Sequence, residues 1–222
     1  MQSDAAHIQL ERLNQEEWAK QESTADEKLA KVRAKHGKRP NIIYILADDI
    51  GWADVGCYGG GKVRGAPTPH LNQMAAEGMK FLTFYAQPSC TPSRVGIMTG
   101  RIPVRTGLNE VLWPGSKQGL HPEEVTIATL LSEVGYKTAF HGKWHLGDKE
   151  EFRPPNHGFD EGYYTLYNAA PWAFGDKRMD AFAWPESEEF AKKYPVEGII
   201  EFKPGEKPRE VEELSAERLP NL

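Results

Sequence analysis

Apolar positions along this chain switch pattern several times, and each switch marks an element. Over residues 1–36 they are sparse: Ile8, Leu10, Leu13, Trp18, Leu29 and Val32 stand among Glu and Lys. That spacing predicts a charged helix with a thin apolar stripe, a solvated arm rather than a partner-binding helix. Gly37-Lys38-Arg39-Pro40 breaks the pattern, and "NIIYILAD" follows with a continuous apolar run from Ile42 to Leu46. Such a run predicts a strand buried on both faces, delivering Asp48 and Asp49 at its end.

A glycine-rich loop comes next, and "HLNQMAAEG" then predicts a short helix stopped by Gly78. "MKFLTFYA" reads as a second strand, and Pro92 is placed for the first turn of a helix running toward Gly100. "PEEVTIATLLSEVG" predicts a helix with Glu123 and Glu124 in its first turn and Gly135 as its stop. "YKTAFHGKWHLG" reads as a strand ending near Gly142. From about Trp184 the signals fade, and "EFKPGEKPREVEELSAERLPNL" reads as an exposed tail.

Strands alternating with helices predict an α/β fold, a mostly parallel sheet with helices on both faces. The expected organisation is a charged helical arm over 1–38, an α/β core over 39–184, and a polar, largely irregular tail over 185–222. A length of 222 residues suits one domain with a real core.

Composition narrows the function classes. A net charge of −5 indicates neither a nucleic-acid surface nor an anionic-membrane surface, so any anion site must be built locally. Cys57 and Cys90 cannot form a disulfide framework. No run approaches the ~18 apolar residues of a membrane span. "MQSDAAHIQLERLNQEEWAK" has no apolar core of a secretory leader. The default expectation is therefore a cytoplasmic protein, or a periplasmic or secreted one if a leader has been removed.

Three candidate groups follow strands, where open parallel sheets collect ligands. Adjacent Asp48 and Asp49 suit a hard divalent cation, although the same pair could cap a helix or turn. Cys90 precedes Thr91-Pro92-Ser93-Arg94 in a polar turn. A helix starting there favours an anion at Cys90, with Arg94 one turn on, and an ordinary partly buried cysteine is the plainer alternative. The cysteine-to-arginine span is too short for a thiolate-phosphatase loop. In "HGKWHLG", Lys143 and His145 share a parity, so in an extended segment both side chains project the same way. An ammonium beside an imidazole suits a tetrahedral oxyanion and its leaving group. A zinc pair of His141 and His145 is disfavoured by Gly142 between them, and His141 reads as a core or supporting histidine.

Together, "PNIIYILADDIGWADVGCYG", the segment from "TPHLNQMAAEG" through "CTPSRVGIMTGR" to "TGL", and "GYKTAFHGKWHLG" resemble the type I sulfatases of the alkaline-phosphatase-like superfamily. The resemblance runs from about Arg39 to Tyr164 and rests on the Cys-Thr-Pro-Ser-Arg core with the double aspartate. It implies a sulfuric ester hydrolase whose cysteine is oxidised by a formylglycine-generating enzyme to Cα-formylglycine. The hydrated aldehyde attacks a sulfate ester, and one hydroxyl then drives release of sulfate. By position, Asp48 and Asp49, with the residue made from Cys90, would bind Ca²⁺. Arg94 would hold the diol, Lys143 the sulfate, and His145 the second hydroxyl. Arg101 would brace the loop, with direct contact to the anion as the alternative.

The resemblance further implies an Asp and an Asn for the calcium, and a further histidine and lysine, in later sequence. Beyond Tyr164 no Asp-Asn pair stands in such a context, and Asp176 and Asp180 lack the expected neighbours. The chain therefore reads as the N-terminal portion of a sulfatase. The substrate implied is a small-molecule or carbohydrate sulfate ester. Lys62 and Arg64 read first as solvated loop cations and could alternatively face an anionic substrate, and Trp113, Trp172 and Phe174 could line a pocket for an aryl or sugar group, or pack a core. The alternatives are a non-catalytic fragment, or a phosphatase or phosphodiesterase of the same superfamily.

Overall fold

The computed structural model describes residues 5–60, 67–168 and 197–212. Lys62, Arg64, Trp172, Phe174, Asp176 and Asp180 lie outside them. The chain divides into two units, residues 1–54 and 55–222, each described by itself.

In the first unit, α1 spans Ala5–His36. Its Ala, Glu, Lys and Gln favour helix, and no Gly or Pro interrupts it. Arg33, Lys35 and His36 fill the last turn, where cations suit the helix dipole. Gly37 then takes a left-handed φ of 68° and its N–H bonds the Arg33 carbonyl at 2.8 Å, closing the helix. Leu13 and Leu29 are exposed, as a thin stripe predicts.

The strand expected over 42–46 does not form: these residues have no strand pairing, and Ile43 is 84% exposed. A strand buried on both faces needs neighbours along both edges, and among the described residues none pairs with this run. It ends in the Asp48–Asp49 turn, where Asp49 takes a φ of 54°.

The second unit carries the sheet. Helix α2, Pro69–Glu77, starts on proline and ends as Gly78 N–H bonds the Met74 carbonyl at 2.9 Å. The strand expected over "MKFLTFYA" is also absent; Phe84 and Tyr85 are 71% and 86% exposed. Helix α3, Cys90–Thr99, has Pro92 in its first turn and stops at left-handed Gly100. Helix α4 covers only Ile127–Glu133. Thr126 caps it by accepting from Thr129 N–H at 3.1 Å, so Glu123 and Glu124 precede the helix rather than open it. The Thr126 hydroxyl also lies 2.6 Å from the His157 carbonyl, which fixes the cap where it is.

Four strands follow: β1 Ala139–Lys143, β2 Glu161–Thr165, β3 Ile199–Phe202 and β4 Arg209–Glu212, in that order across one sheet. β1 and β2 are parallel, with Lys143 opposite Thr165, whereas β2–β3 and β3–β4 are antiparallel. The α/β class holds, with a mixed sheet over the described residues. The expected irregular tail is corrected at 199–212, which form a hairpin. Lys203-Pro204-Gly205-Glu206 turns the chain, with Gly205 at φ 81° and Glu206 N–H bonded to the Lys203 carbonyl at 2.9 Å.

The core joins Val95 of α3, Leu112 and Leu120 of the following loops, and Phe140, Trp144, Tyr164, Ile200 and Phe202 from the sheet. Phe140 meets Trp144, Phe159 and Tyr164 edge-on at 5.1, 5.3 and 6.1 Å. His157 is almost fully enclosed against Trp144, and burial pushes its pKa down to about 4.

Candidate active site

Two elements build the site in the second unit: the first turn of α3 and the C-terminal end of β1. Cys90 is the first residue of α3 and is half-buried. Lys143, the last residue of β1, reaches across so that its Nζ lies 3.0 Å from Cys90 Sγ. Arg94, one helical turn on, is buried, and its guanidinium donates to the Lys143 carbonyl. The arginine thus ties the strand end to the helix, while the ammonium of the same lysine is aimed at position 90.

Thr91 makes the second tie. It is fully buried; its hydroxyl donates to the His145 carbonyl at 2.9 Å and accepts from Leu112 N–H at 3.1 Å. His145 takes a φ of 56°, a conformation few non-glycine residues adopt. Both sides of that residue are anchored, since its N–H bonds the Leu166 carbonyl at 2.9 Å and its carbonyl accepts from Thr91. The chain has left extended geometry at this point, so the common parity expected of Lys143 and His145 is not what places the imidazole. The residue is 5% exposed, with Nε2 at 2.9 Å from the Leu112 carbonyl. A carbonyl only accepts, so Nε2 carries a proton in that bond.

The structure therefore brings Cys90, Arg94 and Lys143 to one place, and joins the His145 backbone to it through Thr91, while the His145 imidazole packs against the Leu112 carbonyl and the Tyr167 ring. His141, expected as a core or supporting histidine, is exposed on β1 instead. Arg101 bonds Glu124 at 2.6 Å and the Arg105 carbonyl at 3.3 Å, bracing the loop after α3. Trp113 is 47% exposed, and its backbone carbonyl accepts from the Tyr167 hydroxyl at 3.1 Å. Sequence reasoning passed over Asp148 and Tyr167, whose side chains meet at 3.1 Å. Asp148 also accepts from Gly115 N–H at 2.6 Å. Burial, then the Asp148 carboxylate, raise the Tyr167 phenol above its ordinary pKa, so it stays a donor at neutral pH. The Pro-Gly step of the "WPGS" turn and the acid after "HLG" were the available signals.

Asp48 and Asp49 belong to the first unit, where both are exposed on their turn. Their carboxylates are hard oxygen donors, the chemistry Ca²⁺ takes, and two residues supply fewer than the ~6–8 oxygens it needs.

A family model described as Sulfatase matches residues 40–185. Arylsulfatase A of Homo sapiens is 51% identical over 124 residues, 54% of this chain and 24% of that protein. N-acetylgalactosamine-6-sulfatase of Canis lupus familiaris is 43% identical over 133 residues, 56% of this chain and 25% of that protein. The crystal structure of PsFucS1 sulfatase from Pseudoalteromonas sp. aligns with a TM-score of 0.74 at 40% identity, covering 86% of this chain and 39% of that one. The chain spans about a quarter of the length of these curated relatives. A model match across most of the chain, on a fold that carries Cys90 and Lys143 to one point, establishes that the chain belongs to the sulfatase family.

Proposed function

We propose that this chain carries the nucleophile half of a sulfuric ester hydrolase acting on a small-molecule or carbohydrate sulfate ester. The observation that carries the reading is the 3.0 Å approach of Lys143 Nζ to Cys90 Sγ at the start of α3. In this reading Cys90 is converted to Cα-formylglycine by a formylglycine-generating enzyme, and Asp48 and Asp49 supply carboxylates to a calcium ion. Calcium, when bound, would supply positive charge that stabilises an ionised oxygen.

The residues of this chain do the rest. The dipole at the N-terminal end of α3 and the Lys143 ammonium favour negative charge at position 90. Arg94 is the further cation beside the hydrated residue, and its bond to the Lys143 carbonyl holds both cations in register. His145, whose Nε2 donates to the Leu112 carbonyl, is in this reading the histidine assigned to the second hydroxyl, whose proton must leave before sulfate is expelled. The names of the relatives support a sulfate ester. Which alcohol it carries lies in sequence that recognises the leaving group.

Hydrolysis of an aryl sulfate, with and without Ca²⁺, tests the reading in protein made beside the modifying enzyme. Turnover by these 222 residues is expected to be low, calcium-dependent and lost in Cys90→Ala. Hydrolysis of a phosphate ester that survives Cys90→Ala would replace it with a phosphatase reading.

A further inference from the structure

We infer that Asp148 and Tyr167 are positioning residues for the His145 imidazole, setting its tautomer through the loop that carries the Leu112 carbonyl. The inference rests on the reading of His145 as a group at the sulfate ester. The imidazole makes its Nε2 bond to Leu112, so its protonation pattern depends on where that loop sits. The loop is held in three places. Leu112 N–H bonds Thr91 Oγ1 at 3.1 Å; Gly115 N–H bonds Asp148 Oδ2 at 2.6 Å; and the Trp113 carbonyl lies 3.1 Å from the Tyr167 hydroxyl.

Asp148 therefore joins the loop to the phenol with one oxygen. Its own backbone is fixed as well, because Arg153 Nε donates to the Asp148 carbonyl at 2.8 Å. Arg153 is in turn clamped by two bonds to Glu197, one of 3.0 Å. The Tyr167 ring stands edge-on to the His145 ring, with centroids 5.2 Å apart at 81°, and fixes the plane in which the imidazole lies. A phenol has one proton and here faces two acceptors, Asp148 and the Trp113 carbonyl. Removing the carboxylate leaves Gly115 N–H without its acceptor and the phenol with the Trp113 carbonyl alone. Both changes fall on the segment bearing Leu112 O, which leaves Thr91 and the Tyr167 phenol as its remaining anchors and loosens the acceptor that favours the Nε2–H tautomer.

The side-chain nitrogen resonances of His145, assigned by their loss in His145→Gln and read at a fixed neutral pH in the full chain, test this. The wild-type chain is expected to show one Nε2–H tautomer. Asp148→Ala should pull the two nitrogen shifts toward each other as tautomers mix. Tyr167→Phe, which keeps the ring, should do so less, and Asp148→Asn, which keeps an acceptor oxygen, should restore most of the wild-type pattern. If Asp148→Ala does not fold, Tyr167→Phe and Asp148→Asn carry the comparison. Unchanged His145 nitrogen shifts in folded Tyr167→Phe, together with no difference between folded Asp148 variants and wild type, would overturn the inference. Failure of the sulfatase reading would appear instead in the chemistry of Cys90, which these spectra do not depend on.

Discussion

Two apolar stretches of the second unit had equal claims to be strands, and they end differently. Residues 79–86, "MKFLTFYA", lie exposed without strand pairing, with Leu82 69% exposed. Residues 139–143, "AFHGK", are less apolar, yet they pair in parallel with β2 and lead into buried Trp144 and Leu146. Apolar content does not make a strand. A ladder partner does, because each backbone N–H and C=O must find its bond in the neighbouring chain. The site is built on the stretch that has its partner, and the ties from Arg94 and Thr91 attach to it.

The contrast is sharpest in stability. Trp144→Ala removes a side chain that is 1% exposed, edge-on to Phe140 and Phe159, and is expected to cost about 3–5 kcal/mol in urea unfolding. Leu82→Ala in the exposed stretch is expected to change stability by less than about 0.5 kcal/mol. Equal losses would mean that 79–86 is as well packed as the sheet.

Acid should attack the same buried layer. His157, against Trp144, is held neutral by burial, with its pKa lowered from 6.5 to about 4. The unfolded chain binds a proton there first, so this contribution is complete above pH ~6.5 and is lost as the pH falls toward ~4. The loss across that window is about 3 kcal/mol. Urea midpoints for the wild-type chain should therefore fall between neutral pH and pH ~4, and His157→Gln should flatten that fall. A smaller effect probes the tie between helix and strand. Thr91→Val keeps the shape but leaves buried Leu112 N–H without its acceptor, at a cost of about 1–3 kcal/mol. No change in midpoint would mean that the hydroxyl is incidental to the site.

The same distinction explains what the sequence disclosed. Helix α3 was legible because its signals are local: Pro92 in the first turn, and Gly100 able to take a left-handed φ. β1 was legible by its position between Gly135 and Gly142. The β3–β4 hairpin was missed because "REVE" looks like solvated charge. Its place is set by register and by bonds such as Tyr163 hydroxyl to Glu212 at 3.3 Å and Gly198 N–H to Glu210 at 2.8 Å. The Pro204-Gly205 step was the local signal for its turn. In the site, the meeting of Cys90 with Lys143 was expected on the wrong ground, since only Lys143 ends a strand, and Cys90 opens α3 after a stretch with no strand pairing. The setting of His145 was not legible, since a φ of 56° held by Thr91 and Leu166 is a long-range outcome that parity along a strand cannot supply.

The central claim is that the thiol at position 90 is the precursor of the nucleophile. Mass spectrometry of the Cys90 peptide, from the chain made in a host that has the modifying enzyme, tests it most directly. The account predicts that conversion of thiol to aldehyde lightens the peptide by about 18 Da. A peptide recovered at the full mass of unmodified cysteine would contradict it.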